Sequence, residues 1–149
     1  MRTRTRFTIL GIVASFVASL LVAPPATALP GTSPECFTDL GVKRCVRFDV
    51  NAGLVQARAS IADIQTDNTN FDVSVTQVVL QYTVPGTATW ANASYGSSPG
   101  WDPVDDTAAT GWVTCNNGYQ VRVAADFHWR IVSTGAEGTE RMYSLTWNC

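Results

Sequence analysis

The sequence predicts an all-β protein: a single antiparallel β-sandwich domain of about seven strands that is held by two disulfides. Large apolar residues alternate with polar ones in one run after another, which is the period of a strand with one buried face. Short segments rich in glycine, proline, asparagine and serine separate these runs and predict turns. The 4 cysteines, all after residue 35, supply the disulfides.

The N-terminal segment predicts a secretory signal peptide over residues 1–28, which leaves 29–149 as the β-sandwich domain. Its basic start has three arginines and no acidic residue: Arg2, Arg4 and Arg6. An apolar run over 7–23 follows, two prolines end it, and small residues then form a cleavage site. Because the run is shorter than the roughly 20 residues that span a bilayer, we expect cleavage after Ala28, or alternatively after Ala23, and not a membrane anchor.

The charge balance of the mature chain argues against nucleic acids and membrane surfaces as partners. Removal of residues 1–28 leaves 7 basic and 12 acidic residues, a net charge of −5, with Lys43 as the only lysine. Phosphate backbones and anionic lipids both attract basic faces. No later stretch is apolar enough to insert into a membrane. We therefore expect an extracellular protein whose partner is another extracellular protein or a glycan.

The cysteines are expected to form two disulfides, because an even number in an exported chain is typical of a disulfide framework. Four cysteines allow three pairings. We favour Cys36–Cys45, which closes a short loop, and Cys115–Cys149, which ties the entry of one strand to the chain end. A zinc site is the rival interpretation, but zinc ligands favour a close C-x-x-C spacing that this chain lacks. We expect neither a metal nor another cofactor.

The first strands follow a lead-in over residues 29–38 that contains proline and glycine. Residues 43–50 alternate valine and phenylalanine with arginine and aspartate, which predicts a strand with one buried face. A turn at 51–53 leads to a second alternating run over 54–63.

The next run, over residues 71–84, changes phase near Thr76 and Gln77. This change predicts either a pair of strands or one strand with a β-bulge, because one extra residue reverses the alternation of a strand. A short strand is expected around Trp90. The segment 94–110 is rich in Gly, Ser, Pro and Asp, which predicts a loop with one turn of helix in its last six residues.

The C-terminal part of the chain returns to strand patterning. A short strand is predicted at 111–115, and the most regular alternation in the chain falls within 116–130. A loop over 133–140 then leads to the last predicted strand, over 141–149.

The strand within 116–130 carries an apolar side chain at every second position: Tyr119, Val121, Val123, Ala125, Phe127 and Trp129. It resembles the penultimate strand of immunoglobulin-like sandwiches, in which a tyrosine near the strand start anchors a corner. In immunoglobulin domains a core cysteine stands two residues after that tyrosine, whereas here position 121 is valine and Cys115 precedes Tyr119. The resemblance implies an immunoglobulin-like or fibronectin-like arrangement without the inter-sheet disulfide; a small barrel or jelly roll is the alternative.

The whole pattern also resembles a type of small exported actinobacterial β-sandwich protein. The shared features are a signal peptide, an "ARAS" strand that ends in aspartate, a "GW" pair near a cysteine, and a "GY" strand with alternating Ala, Phe and Trp. The resemblance covers most of the mature chain and implies an exported β protein. No catalytic or binding residue follows from it.

The polar row of the same strand raises the possibility of catalysis. All six of its side chains are expected on one face: Gln120, Arg122, Ala124, Asp126, His128 and Arg130. Asp126 and His128 would lie roughly 7 Å apart along the strand, and a carboxylate beside an imidazole is half of a Ser-His-Asp arrangement. The nucleophile and its G-x-S-x-G turn are missing. We therefore predict a solvated face with ion pairs to neighbouring strands, and no catalytic residue.

The segment 94–110 offers the candidate binding residues. Its acidic run, Asp102, Asp105 and Asp106, is either a start of a calcium site or a set of turn formers. Tyr95 and Trp101 stand among Gly, Ser and Pro. Their rings either are exposed, where they would stack on a sugar or anchor a protein, or fold back over the core. Two further tryptophans stand beside strand residues and are expected to fold back over the core: Trp90 and Trp112.

These observations predict a secreted, non-enzymatic binding or interaction protein. Its candidate binding residues are Tyr95, Trp101 and Asp102. A carbohydrate-binding module that uses the loop aromatics is the first alternative. A small secreted enzyme inhibitor is the second.

Overall fold

The computed structural model describes residues 33–66 and 70–149, so the predicted signal peptide over 1–28 lies outside the described residues. The described residues form ten strands and no helix, which confirms the all-β prediction and shows that the expected number of about seven strands is too low. The strands are β1 (Glu35–Asp39), β2 (Val42–Asn51), β3 (Leu54–Asp63), β4 (Phe71–Thr83), β5 (Ala91–Gly96), β6 (Asp105–Ala109), β7 (Val113–Thr114), β8 (Gln120–Ile131), β9 (Glu137–Tyr143) and β10 (Trp147–Asn148).

The strands pair into two antiparallel sheets. In the first sheet the order is β1-β2-β3-β6, and β7 also pairs with β3. In the second sheet the order is β10-β8-β4-β5, and β9 also pairs with β8. The segments between β4 and β8 cross between the sheets, because β5 lies in the second sheet whereas β6 and β7 lie in the first.

One hydrophobic core lies between the inward rows of both sheets. The first sheet supplies Val42, Val46, Phe48, Val55, Ala57, Ala59 and Ile61, and the second supplies Val73, Val75, Val78, Leu80, Val123, Ala125, Phe127 and Trp129. Except at the step from Val75 to Val78 in β4, the inward residues of each strand are an even number of positions apart, as the alternation predicts. The opposite rows face away from the core, so each sheet also has an outer face.

The predicted bulge in β4 is confirmed. Val75 pairs with Phe127 and Gln77 pairs with Asp126, so Thr76 has no partner in the β8 ladder. This extra residue keeps Val75 and Val78 on the same, inward side of the strand, although their spacing is odd.

The two predicted disulfides are present. Cys36 and Cys45 are directly opposed on β1 and β2. Cys115 follows β7 of the first sheet, and its bond to Cys149 at the chain end ties that sheet to the second.

Three expectations from the sequence are wrong, each because pairing with a neighbour decides the structure. β1 lies within the expected lead-in, and its residues are mostly exposed, so no alternation reveals it. β6 replaces the expected helical turn, because residues 105–109 pair with the free edge of β3. The expected last strand divides into β9 and β10, and β9 begins inside the expected 133–140 loop.

No helix among the residues that the structure describes has the length and apolarity needed for a membrane crossing.

A buried cation joins the two sheets at one edge. Arg44 points inward from β2 and is 1% exposed, and its Nη1 lies 2.7 Å from the Glu140 carboxylate on β9. The guanidinium also lies over the rings of Trp129, at 4.7 Å, and Phe37, at 5.2 Å. Trp129 in turn lies against Gly138, where an added Cβ would approach its indole to 2.4 Å. The Nε and Nη2 atoms of Arg44 have no hydrogen-bond acceptor within the described residues, so Glu140 supplies its one neutralising charge.

We predict that Glu140→Ala lowers the free energy of unfolding by about 2 kcal/mol, because it leaves the buried guanidinium of Arg44 without a counter-charge. In an Arg44→Met background the same substitution should change stability by less than about 0.5 kcal/mol. Urea unfolding of the four proteins measures this coupling. Equal effects of Glu140→Ala in both backgrounds would contradict the assigned ion pair.

Deletion of Thr76 should abolish cooperative urea unfolding or cost more than about 4 kcal/mol, because it turns one half of the β4 apolar row away from the core. The control is Thr76→Ala, which keeps the bulge and loses only the hydrogen bond from Thr76 Oγ1 to the Asp126 carbonyl oxygen. This control should cost about 1 kcal/mol. A deletion variant as stable as the control would show that the bulge does not set the register.

Candidate functional site

The outer face of the second sheet gathers both sets of residues that the sequence singled out. The polar row of β8 lies there, between the outward rows of β4 and β9. Tyr95 on β5 is opposite the outward Val79, so it lies on this face as well. Trp90 and Trp101 reach it from the segments before and after β5. We call this surface the aromatic face; its rings belong to Trp90, Tyr95, Trp101 and Tyr143.

The chain before β6 places Trp101 on the aromatic face. Asp102 exchanges two backbone hydrogen bonds with Val73, at 2.8 and 2.9 Å, and extends the sheet beside the first half of β4. Trp101 therefore stands next to Ser74, which pairs with His128 on β8. The indole reaches across this small serine, and its ring centroid lies 4.6 Å from that of His128.

Trp101 is held by charged groups as well as by the imidazole ring. The Arg130 guanidinium lies 4.8 Å from the Trp101 ring centroid and is itself paired with Asp72. His128 Nε2 lies 3.0 Å from Glu137 on β9. Trp101 remains 38% exposed. It is therefore a fixed ring with part of its surface open to solvent.

A second cluster of rings surrounds Arg122. The guanidinium carbon lies 4.3 Å from the Trp90 ring centroid and 4.5 Å from that of Tyr143, so two aromatic rings hold one cation. Arg122 Nε also donates to Gln81 Oε1 at 2.8 Å.

This hydrogen bond continues across the sheet to a further ring. Gln81 Nε2 donates to Asn92 Oδ1 at 2.8 Å, and Asn92 Nδ2 donates to the Tyr95 hydroxyl at 2.7 Å. The side chains of β8, β4 and β5 are thereby connected in one network. Tyr95 and Tyr143 are 58% and 48% exposed, and this network fixes their surroundings.

Ion pairs to β9 occupy the centre of the aromatic face. Arg141 donates to both carboxylate oxygens of Asp126, at 2.7 and 2.6 Å, and this hydrogen bonding raises the pKa of Arg141 above its usual value. His128 is engaged with Glu137 instead of Asp126. The two residues that would form half of a catalytic triad thus have separate partners, as expected for a polar face with ion pairs between strands.

Two shallow hollows of about 400 Å³ each adjoin at Thr76 and His128. One extends toward Asp126 and Arg141, and the other extends toward Trp101. The bulge at Thr76 and the small neighbour Ser74 create this depression, because neither fills the surface between the larger side chains. A ligand placed here would meet an indole, an imidazole, hydroxyl groups and both signs of charge.

The acidic residues before β6 act as structural groups. The Asp102 carboxylate accepts hydrogen bonds from the backbone N–H groups of Val104 and Asp105, which forms a turn. The Asp106 carboxylate accepts from the Val75 N–H, at 2.7 Å, and so links β6 to the bulge of β4. Among the described residues no group of three or more His, Cys, Asp or Glu side chains is placed to hold a metal ion.

Trp90 and Trp112, the two tryptophans that were expected to fold over the core, do not do so. Trp112 is 45% exposed, so its expected burial under the loop is wrong. Trp90 is half-buried, but its partner is Arg122 on the aromatic face. Sequence reasoning also missed Tyr143. Its signal was the alternation of β9, which puts Tyr143 on the same side of the strand as Glu137 and Arg141.

A scan against protein-family models and a search of curated proteins each found no match to this chain.

Replacement of Arg122 by methionine should lower the free energy of unfolding by about 1–2 kcal/mol, because it removes two ring contacts and the hydrogen bond to Gln81. Arg141→Met is the matched control, since this arginine has an exposed ion pair that is worth about 0–1 kcal/mol. Urea unfolding compares the two variants. If Arg141→Met costs as much as Arg122→Met, the rings do not hold Arg122 as described.

Proposed function

We propose that this protein is a secreted, non-enzymatic binding protein that contacts glycans with its aromatic face. The observation that carries the proposal is the presence of three partly exposed rings, Tyr95, Trp101 and Tyr143, on one sheet face that polar contacts hold in place. Rings fixed in advance lose little conformational entropy when a ligand binds, which favours affinity.

The chemistry of this face fits sugars. The apolar side of a sugar ring stacks on an aromatic ring, while its hydroxyl groups need both donors and acceptors nearby. The amides of Gln81 and Asn92 lie beside Tyr95, and the Asp126–Arg141 pair lies between the ring clusters. Tyr95 and Tyr143 stand in one row across four neighbouring strands, a backbone separation of about 14 Å. This extent favours a chain of several sugar units over a single one.

The proposal includes an immunoglobulin-like sandwich and export from the cell. Two antiparallel sheets with a shared core support the sandwich, and the regular β8 strand with Tyr119 at its entry supports the immunoglobulin-like type. The basic and apolar pattern of residues 1–28 supports secretion. The two disulfides are compatible with an extracellular protein.

A binding role is favoured over catalysis because the titratable groups of the aromatic face are engaged with one another. Asp126 is bound by Arg141, and His128 is paired with Glu137. Catalytic groups would instead converge on one reacting atom, with a nucleophile within hydrogen-bond reach of its base.

Retention on insoluble polysaccharides tests the function. The protein collected from the medium of an exporting host is mixed with cellulose, chitin, xylan and peptidoglycan, and the bound fraction is measured. On the polysaccharide that retains it, Tyr95→Ala, Trp101→Ala and Tyr143→Ala should each weaken binding by about two- to tenfold, since each removes one stacking ring.

The matched control is Trp112→Ala, which removes an exposed ring that stacks on none of the rings or cations of the aromatic face among the described residues. It should leave binding unchanged, and thermal unfolding should show that all four variants are folded. Failure of every polysaccharide to retain the protein, or an equal loss with Trp112→Ala, would overturn the glycan proposal.

Export has its own test. When the full chain is expressed in a secreting host, the intact mass of the protein in the medium should correspond to a chain that begins at Leu29. A start at Pro24 would support secretion with the alternative cleavage site. Retention in the cell with residues 1–28 intact would contradict secretion.

A further inference from the structure

The outer face of the first sheet carries a hollow that the glycan-binding proposal does not use. Its volume is about 290 Å³, and three basic residues contribute to its lining: Lys43, Arg47 and Arg58. Two of them are on β2 and one is on β3. No acidic residue lines it. This concentration of positive charge is unusual in a chain that has an overall acidic composition.

The floor of the hollow is a row of short side chains across four strands. Cys36, Cys45, Ser60 and Thr107 are successive partners on β1, β2, β3 and β6. The Arg47–Arg58 row lies on one side of this floor, and Lys43 lies on the other side, on the same strand as Cys45. Each flanking row is about 7 Å from the floor row, a distance that the long basic side chains can span. Ser60 and Thr107, which carry hydroxyl groups, both line the hollow.

A shared carboxylate sets the geometry of the two arginines. Arg47 and Arg58 are directly opposed on β2 and β3, where like charges repel. Asp49 lies beside both: one carboxylate oxygen is 3.1 Å from Arg47 Nε and the other is 2.9 Å from Arg58 Nε. The Nε atoms of both arginines are buried and form no hydrogen bond within the described residues, so Asp49 holds the two guanidinium groups by charge. One negative charge faces two positive charges, and a net positive charge is left on the pair.

The other charges of this face do not cancel the excess. Lys43 has no ion-pair partner among the described residues. Asp105 is the second acidic residue on the outward row, but it pairs with Ala62 and does not line the hollow. The lining therefore offers guanidinium, ammonium and hydroxyl donors around a short floor. Two guanidinium groups side by side match the oxygen atoms of a tetrahedral anion.

We propose that this hollow is a binding site for an oxyanion of the phosphate or sulfate type, either free or as an ester group on an extracellular polymer. The bound anion would place its oxygen atoms against the Nη groups of Arg47 and Arg58, with Lys43 on the opposite side. It would also offset the repulsion between the two arginines. The anion therefore stabilises the folded protein in proportion to its affinity.

Thermal unfolding in sodium phosphate tests the site, with sodium chloride at equal ionic strength as the reference. The exported protein should show a saturable rise of Tm with millimolar phosphate that chloride does not reproduce. Arg47→Gln and Arg58→Gln should each raise the half-saturating phosphate concentration by about tenfold. Lys43→Gln should weaken phosphate binding to a smaller extent. Because Lys43 has no ion-pair partner among the described residues, this variant should fold and keeps the test valid if an arginine variant does not fold.

The control is Arg141→Gln, which removes a surface guanidinium from the other sheet and should leave the phosphate response unchanged. A phosphate response equal to that of chloride, or one that persists fully in both arginine variants and in Lys43→Gln, would overturn the proposal. The Trp101→Ala variant should respond as the parent protein does, so this site is independent of glycan binding by the aromatic face.

A second arm distinguishes the two sources of the anion. Retention on immobilised dextran sulfate, compared with uncharged dextran, measures binding to a polymer-borne ester. Retention that phosphate displaces and that Arg47→Gln weakens assigns the site to the polymer. A phosphate response without such retention assigns it to the free ion.

Discussion

The bulge at Thr76 is the constraint on which the rest of the second sheet depends. β4 is the long central strand, and Val73 and Val75 of its first half must face the same core as Val78 and Leu80 of its second half. The unpaired residue reverses the alternation between Val75 and Gln77 and so satisfies both halves. The same reversal fixes the outward row, which places Ser74 beside His128. The Asp106 carboxylate on β6 accepts a hydrogen bond from the Val75 N–H, so the first sheet is attached to the second at the point where the register of β4 changes.

The aromatic face is a consequence of this register. Ser74 is small enough for Trp101 to cross it, and the chain that carries Trp101 is aligned by backbone hydrogen bonds between Asp102 and Val73. On the far side of the face, the network from Tyr95 to Arg122 runs through residues of three strands. The aromatic residues before β6 and the polar row of β8, which are separate segments of the chain, thus form one surface with fixed rings and paired charges.

The sequence was informative where a strand has one buried and one polar face. β2, β3, β4 and β8 have such alternation, and even the bulge follows from its phase change. β1 and β6 could not be predicted because they lie at sheet edges and have few buried side chains; their strand character comes from the partner. Tyr95 and Trp101, which the sequence proposed as binding residues, are both exposed enough to contact a ligand. The contact between Trp101 and His128 depends on register between distant segments, which local patterning does not contain.

The central claim is that ligands bind to the aromatic face. Its most direct test is NMR mapping of indole N–H signals and backbone amides of the protein, with soluble oligosaccharides prepared from the polysaccharide that retains it. The indole signals of Trp90 and Trp101, and the amides of β8 and β9 beside Tyr143, should change during the titration. The indole signal of Trp112 and the amides of β2 should stay unchanged. Changes confined to Trp112 or to the first sheet would contradict the account.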